Sequence, residues 1–316
     1  MKKTLFSMLA FLSVTLLTSC GEGDIRLNMA TGGAAGTYYP LGGAMATVIN
    51  DRTGISVTAM ASGASIDNVQ QLSVGDAQIA LAQNDIISYA FNGTGIWADA
   101  GRAAVTNIST LMTLYPETIQ IVVLYDSPIW SVSDLSGARV SVGDIGSGTE
   151  ANAAQILGAY GLSFDDITRI NLPFGASADE MRDGNLDAFF VTAATPNTAI
   201  TELSVHRDIR ILHLSQASID YLLNTYSFFT RYTVTSEAYS WISMPVNTVA
   251  VQATLVARTD VDEEVAYEIV RALIEGSDDI GHARGAYITP QNAVESVSIP
   301  FHPGAERFFR EIGMLP

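Results

Sequence analysis

The chain has 316 residues, 33 of them acidic and 16 basic, for a formal net charge of −17 at pH 7, and 48% of its residues are hydrophobic. A negative balance of that size disfavours nucleic acid and anionic membrane surfaces as partners, and the length leaves room for two domains with substantial cores. The only cysteine is Cys20, which excludes an internal disulfide, so packing alone has to hold the fold.

In chain order, the first feature is a leader. Met1-Lys2-Lys3 is followed by an apolar stretch from Leu5 to Leu17 and by Leu17-Thr18-Ser19-Cys20. A basic start, a short apolar run and small residues before a cleavage point make a signal peptide of residues 1–19, too short to span a bilayer. The four residues ending in Cys20 resemble a bacterial lipobox, which implies cleavage before Cys20 and lipid attached to it. The expected product is an exported body, periplasmic or otherwise extracytoplasmic, tethered to the membrane through Cys20. Both lysines lie in the leader, so the exported body carries arginine as its only permanent cation. An anionic ligand would have to be held locally, by directed backbone N–H groups or a buried arginine, against an unfavourable overall field.

Strands and helices then alternate, the pattern of an α/β fold. Ile25 to Ala30 reads as a strand, Thr31 to Thr37 as a glycine-rich turn, and Tyr38 to Asn50 as a helix. Ile55 to Ala59 is a second strand, and Ser62-Gly63-Ala64-Ser65 leads into a helix with Ile66, Val69 and Leu72 on one face, ending near Gly75. Ala77 to Ala82 reads as a strand, with a helix from about Asp85. A β-branched run from Thr118 to Tyr125 precedes a turn at 133–137 and a strand from Ala138 to Val142. The segment Gly143 to Glu150 then repeats the strand, glycine turn, helix unit, with its helix reaching about Tyr160. A third polar turn, Phe174-Gly175-Ala176-Ser177, is expected before a helix from Asp179 to Gly184 and a strand from Leu186 to Val191. The β-rich run Val246 to Val256 and the amphipathic helix Val261 to Ile274 return the chain to the scaffold begun first, which implies two crossings and a discontinuous first domain.

The chemistry sits in the turns. A helix start exposes unpaired N–H groups and partial positive charge, and glycine lets backbone approach a ligand closely. Thr37, Ser62, Ser65, Ser147, Thr149 and Ser177 add hydroxyls that donate or accept. Each of these residues is equally suited to capping its own helix. Tyr38 and one of Phe189 and Phe190 are candidates for the cleft wall, since alternation sends that pair to opposite faces. Arg169, Arg182 and Arg231 are either carboxylate clamps or solvated surface residues.

An enzyme is disfavoured. None of the serines at the turns lies in a G-x-S-x-G elbow, and His206, His213, His282 and His302 lack metal-ligand spacing. The turn at 143–149 lacks the lysine of a phosphate-binding loop. Neither a metal nor a cofactor is expected.

Thr31-Gly32-Gly33 with Gly36-Thr37-Tyr38-Tyr39-Pro40, Ser62-Gly63-Ala64-Ser65 with Asn68, Gln83-Asn84-Asp85, Asp134-Leu135-Ser136-Gly137 and Gly146-Ser147-Gly148-Thr149 together resemble the TAXI family of solute receptors. These are the extracytoplasmic binding components of TRAP-type secondary transporters. The resemblance implies a two-lobed, periplasmic-binding-protein-like (type II) fold with a hinge, closing on a small organic anion such as glutamate or a dicarboxylate, and a membrane permease as partner. It places lobe I at residues 20–122 plus 247–316 and lobe II at 123–246. It implies ligand contacts from Gly33, Thr37, Tyr38, Ser62, Gly63, Asn68 and Gln83 in the first lobe, and from Ser147, Gly148, Thr149, Thr192 and Thr195 in the second. Two positions depart from the family pattern: Ser136 stands where many members carry lysine, and Ala64-Ser65-Ile66 replaces a commoner Ser-Val or Ser-Ile pair. An ABC-type substrate-binding lipoprotein shares the architecture and is the alternative.

Overall fold

The computed structural model describes residues 25–316, so the leader and the expected lipidation site at Cys20 lie outside the described residues. In order, the chain forms β1 (Ile25–Ala30), α1 (Tyr38–Arg52), β2 (Ile55–Met60), α2 (Ser65–Val74), β3 (Ile79–Gln83), α3 (Asn84–Asn92), α4 (Gly95–Asp99) and β4 (Ile108–Leu124). It continues with β5 (Arg139–Ser141), α5 (Gly148–Gly158), β6 (Thr168–Ile170), α6 (Phe174–Arg182), β7 (Ala188–Ala193), α7 (Thr198–His206), β8 (Ile209–Ile211), α8 (Gln216–Thr225) and β9 (Thr230–Val234). It ends with β10 (Val246–Arg258), α9 (Glu263–Glu275), α10 (Pro290–Ala293) and α11 (Pro303–Glu311).

One curled mixed sheet runs through both lobes in the order β2-β1-β3-β10-β4-β7-β5-β6, with β8 added beside β4 and β9 beside β10. At one end β1 pairs in parallel with β2 and β3; at the other, β5 pairs in parallel with β6 and β7. The antiparallel pair β4 and β10 joins them, and both strands are long enough to serve the two ends. α1, α9 and α11 cover one face of the first lobe, burying Leu41, Met45, Ile269, Leu273 and Phe309 in a common core. In α9 the apolar residues Val265, Ile269, Val270 and Leu273 fall at helical spacing, and Asp262 caps its start by accepting from Glu264 N at 2.9 Å. The second lobe has its own core around Ile121, Val140, Ile156 and Phe190.

The expected early elements are found within a few residues of their expected ends. Two differ for physical reasons. β4 begins at Ile108, ten residues before the β-branched run, and carries Pro116 in its middle. Proline is tolerated in a sheet interior at irregularities, and the β4–β10 register shifts where Tyr115 and Thr113 face Ala253 and Thr254, just beside Pro116. α6 starts at Phe174 directly after Pro173, so the expected third polar turn is helix, and Ser177 lies inside it with its hydroxyl 2.7 Å from that of Ser141.

Candidate functional site

Between the lobes lies a cavity of about 80 Å³, several times the ~10–15 Å³ that one enclosed water needs on this measure. It is bounded by the 32–38 turn and α1 start, by Ala64 and Ser65 at the α2 start, by Gln83 at the end of β3 and by Glu117 in β4. The second lobe closes it with Asp144, Ser147, Gly148, Thr149, Pro173, Phe174, Thr192 and Ala193.

The helix starts facing it are not alike. α1 and α2 begin without a side-chain cap, the kind of start that binds anions, although Ile66 N in the first turn of α2 is taken by Gly146 O. The turn into α2 is also strained, because Ala64 is held at φ +71°, a conformation that favours glycine. In α5, Ser147 Oγ accepts from Glu150 N at 3.2 Å, and Glu150 accepts from Gly146 N at 2.9 Å, so one first-turn N–H is capped from within.

Two buried residues that line the cavity from opposite lobes each carry an atom with no hydrogen-bond partner: Gln83 Oε1 and Thr192 Oγ1, on residues 3% and 4% exposed. An unpaired buried polar atom costs about 1–3 kcal/mol, a cost that a polar ligand bridging the lobes would relieve. Glu117, 2% exposed, accepts from the Tyr38 hydroxyl at 2.6 Å and from the Tyr115 hydroxyl at 3.4 Å. Burial pushes its carboxyl up to about 8, so it is mainly neutral at pH 7. Burial and then Glu117 hold the Tyr38 hydroxyl well above its usual value, keeping it a donor. Asp144, half-buried, is also raised by desolvation. None of the residues lining the cavity carries a positive charge.

The lobes touch across this space. Ile66 N donates to Gly146 O at 3.1 Å, Ala194 N to Thr37 Oγ1 at 3.3 Å and Asn197 Nδ2 to Ala35 O at 3.2 Å. A Cβ at Gly148 would overlap the Gln83 amide, so the absence of a side chain there permits this approach. These contacts define a closed arrangement.

Of the residues expected at the site, Gly33, Thr37, Tyr38, Gln83, Ser147, Gly148, Thr149 and Thr192 line the cavity, and Ser62, Gly63, Asn68 and Thr195 do not. Asn68 is spent on scaffolding: its Nδ2 donates to the carbonyls of Thr31 and Leu81, both at 2.6 Å, and its Oδ1 accepts from Ser62 Oγ at 2.5 Å. Gly63 N donates to Asp67 at the α2 start. Thr195 faces Tyr232, its hydroxyl 3.5 Å from the phenol, and its carbonyl accepts from the buried Arg284. Phe189 and Phe190 point into separate cores on opposite faces of β7. Arg169 pairs with Glu150, Arg182 with Asp179 and Asp183, and Arg231 with Asp220, all well outside the cavity lining. Sequence reasoning missed Glu117 and Asp144. A lone acid inside the apolar run of β4 was the available signal for Glu117, and Asp144 lies in the glycine turn itself.

The chain matches the model of the NMT1-like family over residues 29–313. Among solved structures it is similar to the periplasmic binding protein BugD, at 12% identity and TM-score 0.56 over 92% of this chain and 95% of that one. It is also similar to the alkanesulfonate-binding protein SsuA from Xanthomonas axonopodis pv. citri bound to MOPS, at 14% identity and TM-score 0.53 over 90% and 83% of the two chains. An ancestral arginine-binding protein bound to arginine matches at 15% identity and TM-score 0.50 over 83% and 96%. At such identities the likeness establishes the shared fold, that of two-lobed periplasmic binding proteins.

Proposed function

The chain belongs to the NMT1-like family, and we propose that it is an extracytoplasmic solute-binding receptor that closes its two lobes over a small organic anion and hands it to a membrane permease. The observation that carries this reading is the closed cavity with unpartnered Gln83 Oε1 on one wall and Thr192 Oγ1 on the other. A solute that pairs with both stabilises the closed form over the open one, because its contacts exist in full only there. In this reading the chain passes between lobe I (residues 20–122 with 247–316) and lobe II (residues 123–246) along β4 and β10, whose Ile119, Ile121, Val249 and Val251 already pack in the second lobe's core.

The carboxylate of the solute is held by the uncapped starts of α1 and α2. Glu117 and Asp144 lie in the same cavity, and a carboxyl group beside a bound ammonium ion is driven to ionise. That combination favours a zwitterion such as glutamate over a dicarboxylate. Gly33, Thr37, Tyr38, Gln83, Ser147, Gly148, Thr149 and Thr192 form the contacting set. The motif order from Thr31 to Thr149 supports a receptor of the TAXI type serving a TRAP permease, and lipid on Cys20 tethers it. A neighbouring gene for a multi-spanning permease with no ATPase supports that partner, whereas an ATPase subunit points to an ABC transporter.

Thermal unfolding against amino acids, monocarboxylates and dicarboxylates tests the receptor reading, since a ligand that binds only the folded state raises its stability. A rise with L-glutamate exceeding that with 2-oxoglutarate is expected. No rise with any solute contradicts the reading.

A further inference from the structure

Beside the cavity the lobes meet along a seam between α3 and α5. Asn152 Nδ2 donates to Asp85 Oδ2 at 2.9 Å, and one turn further Gln155 Nε2 donates to the Tyr89 hydroxyl at 3.2 Å. Asp85 and Asn152 are both fully buried, at 0% exposure. Each keeps one oxygen, Oδ1, without a partner. While Asp85 is ionised both of these oxygens are acceptors, so neither can satisfy the other. A proton on Asp85 Oδ1 turns one acceptor into a donor. Asn152 Oδ1 is the unpartnered acceptor on the facing amide, whose Nδ2 also donates to Gln155 Oε1 at 3.1 Å, so a protonated Asp85 has the chemistry to complete a reciprocal pair.

We propose that Asp85 and Asn152 form a proton-dependent latch between the lobes, holding them closed when Asp85 is protonated and releasing them when it is ionised. This rests on the reading that the lobes open and close over a solute.

The surroundings of Asp85 offer no compensating cation. Within α3 the titratable neighbour is Tyr89, and across the hinge it is Glu117 on β4, both of which feel the Asp85 charge unfavourably. β3 has no charged residue, α2 has Asp67, which is turned to Gly63 and Gln71, and α4 has Asp99. The one charged residue of β10, Arg258, is paired with Asp260, and that of α5, Glu150, with Arg169. Burial pushes the Asp85 carboxyl up to about 7, outweighing hydrogen bonds from the Ile86 backbone, the Asn152 amide and its own backbone that favour the ionised form. Opening the seam admits water and lets it fall toward the ordinary carboxylate range, so closure takes up a proton, and raising the pH through about 7 favours the open form.

Small-angle X-ray scattering of the protein without added solute, at about pH 5.5 and about pH 8.5, tests the latch. The wild type is expected to be compact at the lower pH and expanded at the higher. Asp85→Asn supplies the reciprocal amide pair permanently and is expected to be compact at both. A wild-type radius of gyration unchanged by pH, or a pH response equally large in Asp85→Asn, overturns the latch. Titration of Glu117 and Asp144 persists in Asp85→Asn, so that variant separates their contribution. Failure of the solute panel overturns the receptor reading instead, and the scattering result does not depend on it.

Discussion

The starts of α1 and α5 look alike as sequence, each a glycine-rich turn with a hydroxyl just before the helix, yet they resolve oppositely. Ser147 turns its hydroxyl back onto Glu150 N, while Thr37 caps nothing in its own helix and accepts from Ala194 N in the other lobe. The helix start in the second lobe therefore has one of its N–H groups capped by its own side chain, and that in the first has no side-chain cap. The contrast teaches that a glycine turn before a helix marks a potential anion site, and that the capping geometry decides whether the site is free.

The largest expected effect lies on β4, which both lobes share. Folded, Glu117 holds its proton to about pH 8, whereas an unfolded carboxyl releases it near its ordinary value of 4.5. The folded state therefore binds more protons between those values, and stability falls as pH rises through that window. The loss expected by pH 9 is on the order of 4 kcal/mol. Glu117→Gln should reduce the slope in denaturant unfolding followed across that range, most clearly above about pH 7 where Asp85 no longer contributes, while an unchanged slope would show that Glu117 is not held neutral.

Next comes Gly148→Ala. Any Cβ there displaces the buried Gln83 amide or keeps the lobes apart, and overpacking of this kind costs about 1–3 kcal/mol. Calorimetric titration with L-glutamate should show affinity reduced by roughly 5- to 150-fold. Wild-type affinity in this variant would mean that the α5 start does not approach Gln83 in the bound form.

The contrast itself is sharpened by a pair of variants. Ser147→Ala should cost about 1 kcal/mol of folding stability with little change in affinity, because its hydroxyl is used as a cap. Thr37→Ala should weaken L-glutamate binding by about 1 kcal/mol, because its hydroxyl serves the closed form. The reverse pattern in melting and titration would break the comparison. The smallest effect is expected at Ala64→Gly, which relieves the positive φ at the α2 start and should add about 1 kcal/mol of stability.

Much of the fold was legible because local signals agreed. β1 ends where the glycine turn begins, and Gly75 closes α2 in the left-handed conformation that glycine adopts freely. Legibility failed where tertiary structure overrides a local rule. Pro116 reads as a strand breaker, and only the register shift against β10 lets β4 run through it and deliver Glu117 to the cavity. A helix starts directly after Pro173, across the residues 174–177 expected as a polar turn. At the site, Ser62 and Asn68 are polar turn residues like Ser147 and Thr149, and their use as internal braces follows from Asn68 bonding the Thr31 and Leu81 carbonyls, distant in sequence, and Ser62 bonding Asn68. Hydroxyl and amide types announce a polar cleft; which of them remain unspent is a property of the assembled lobes.

The most direct measurement is a crystal structure of the protein with L-glutamate. The account predicts closed lobes with a solute carboxylate against the backbone N–H groups at the starts of α1 and α2 and polar contacts to Gln83 and Thr192. A carboxylate bound away from both helix starts, or a solute seated outside this cavity, would contradict it.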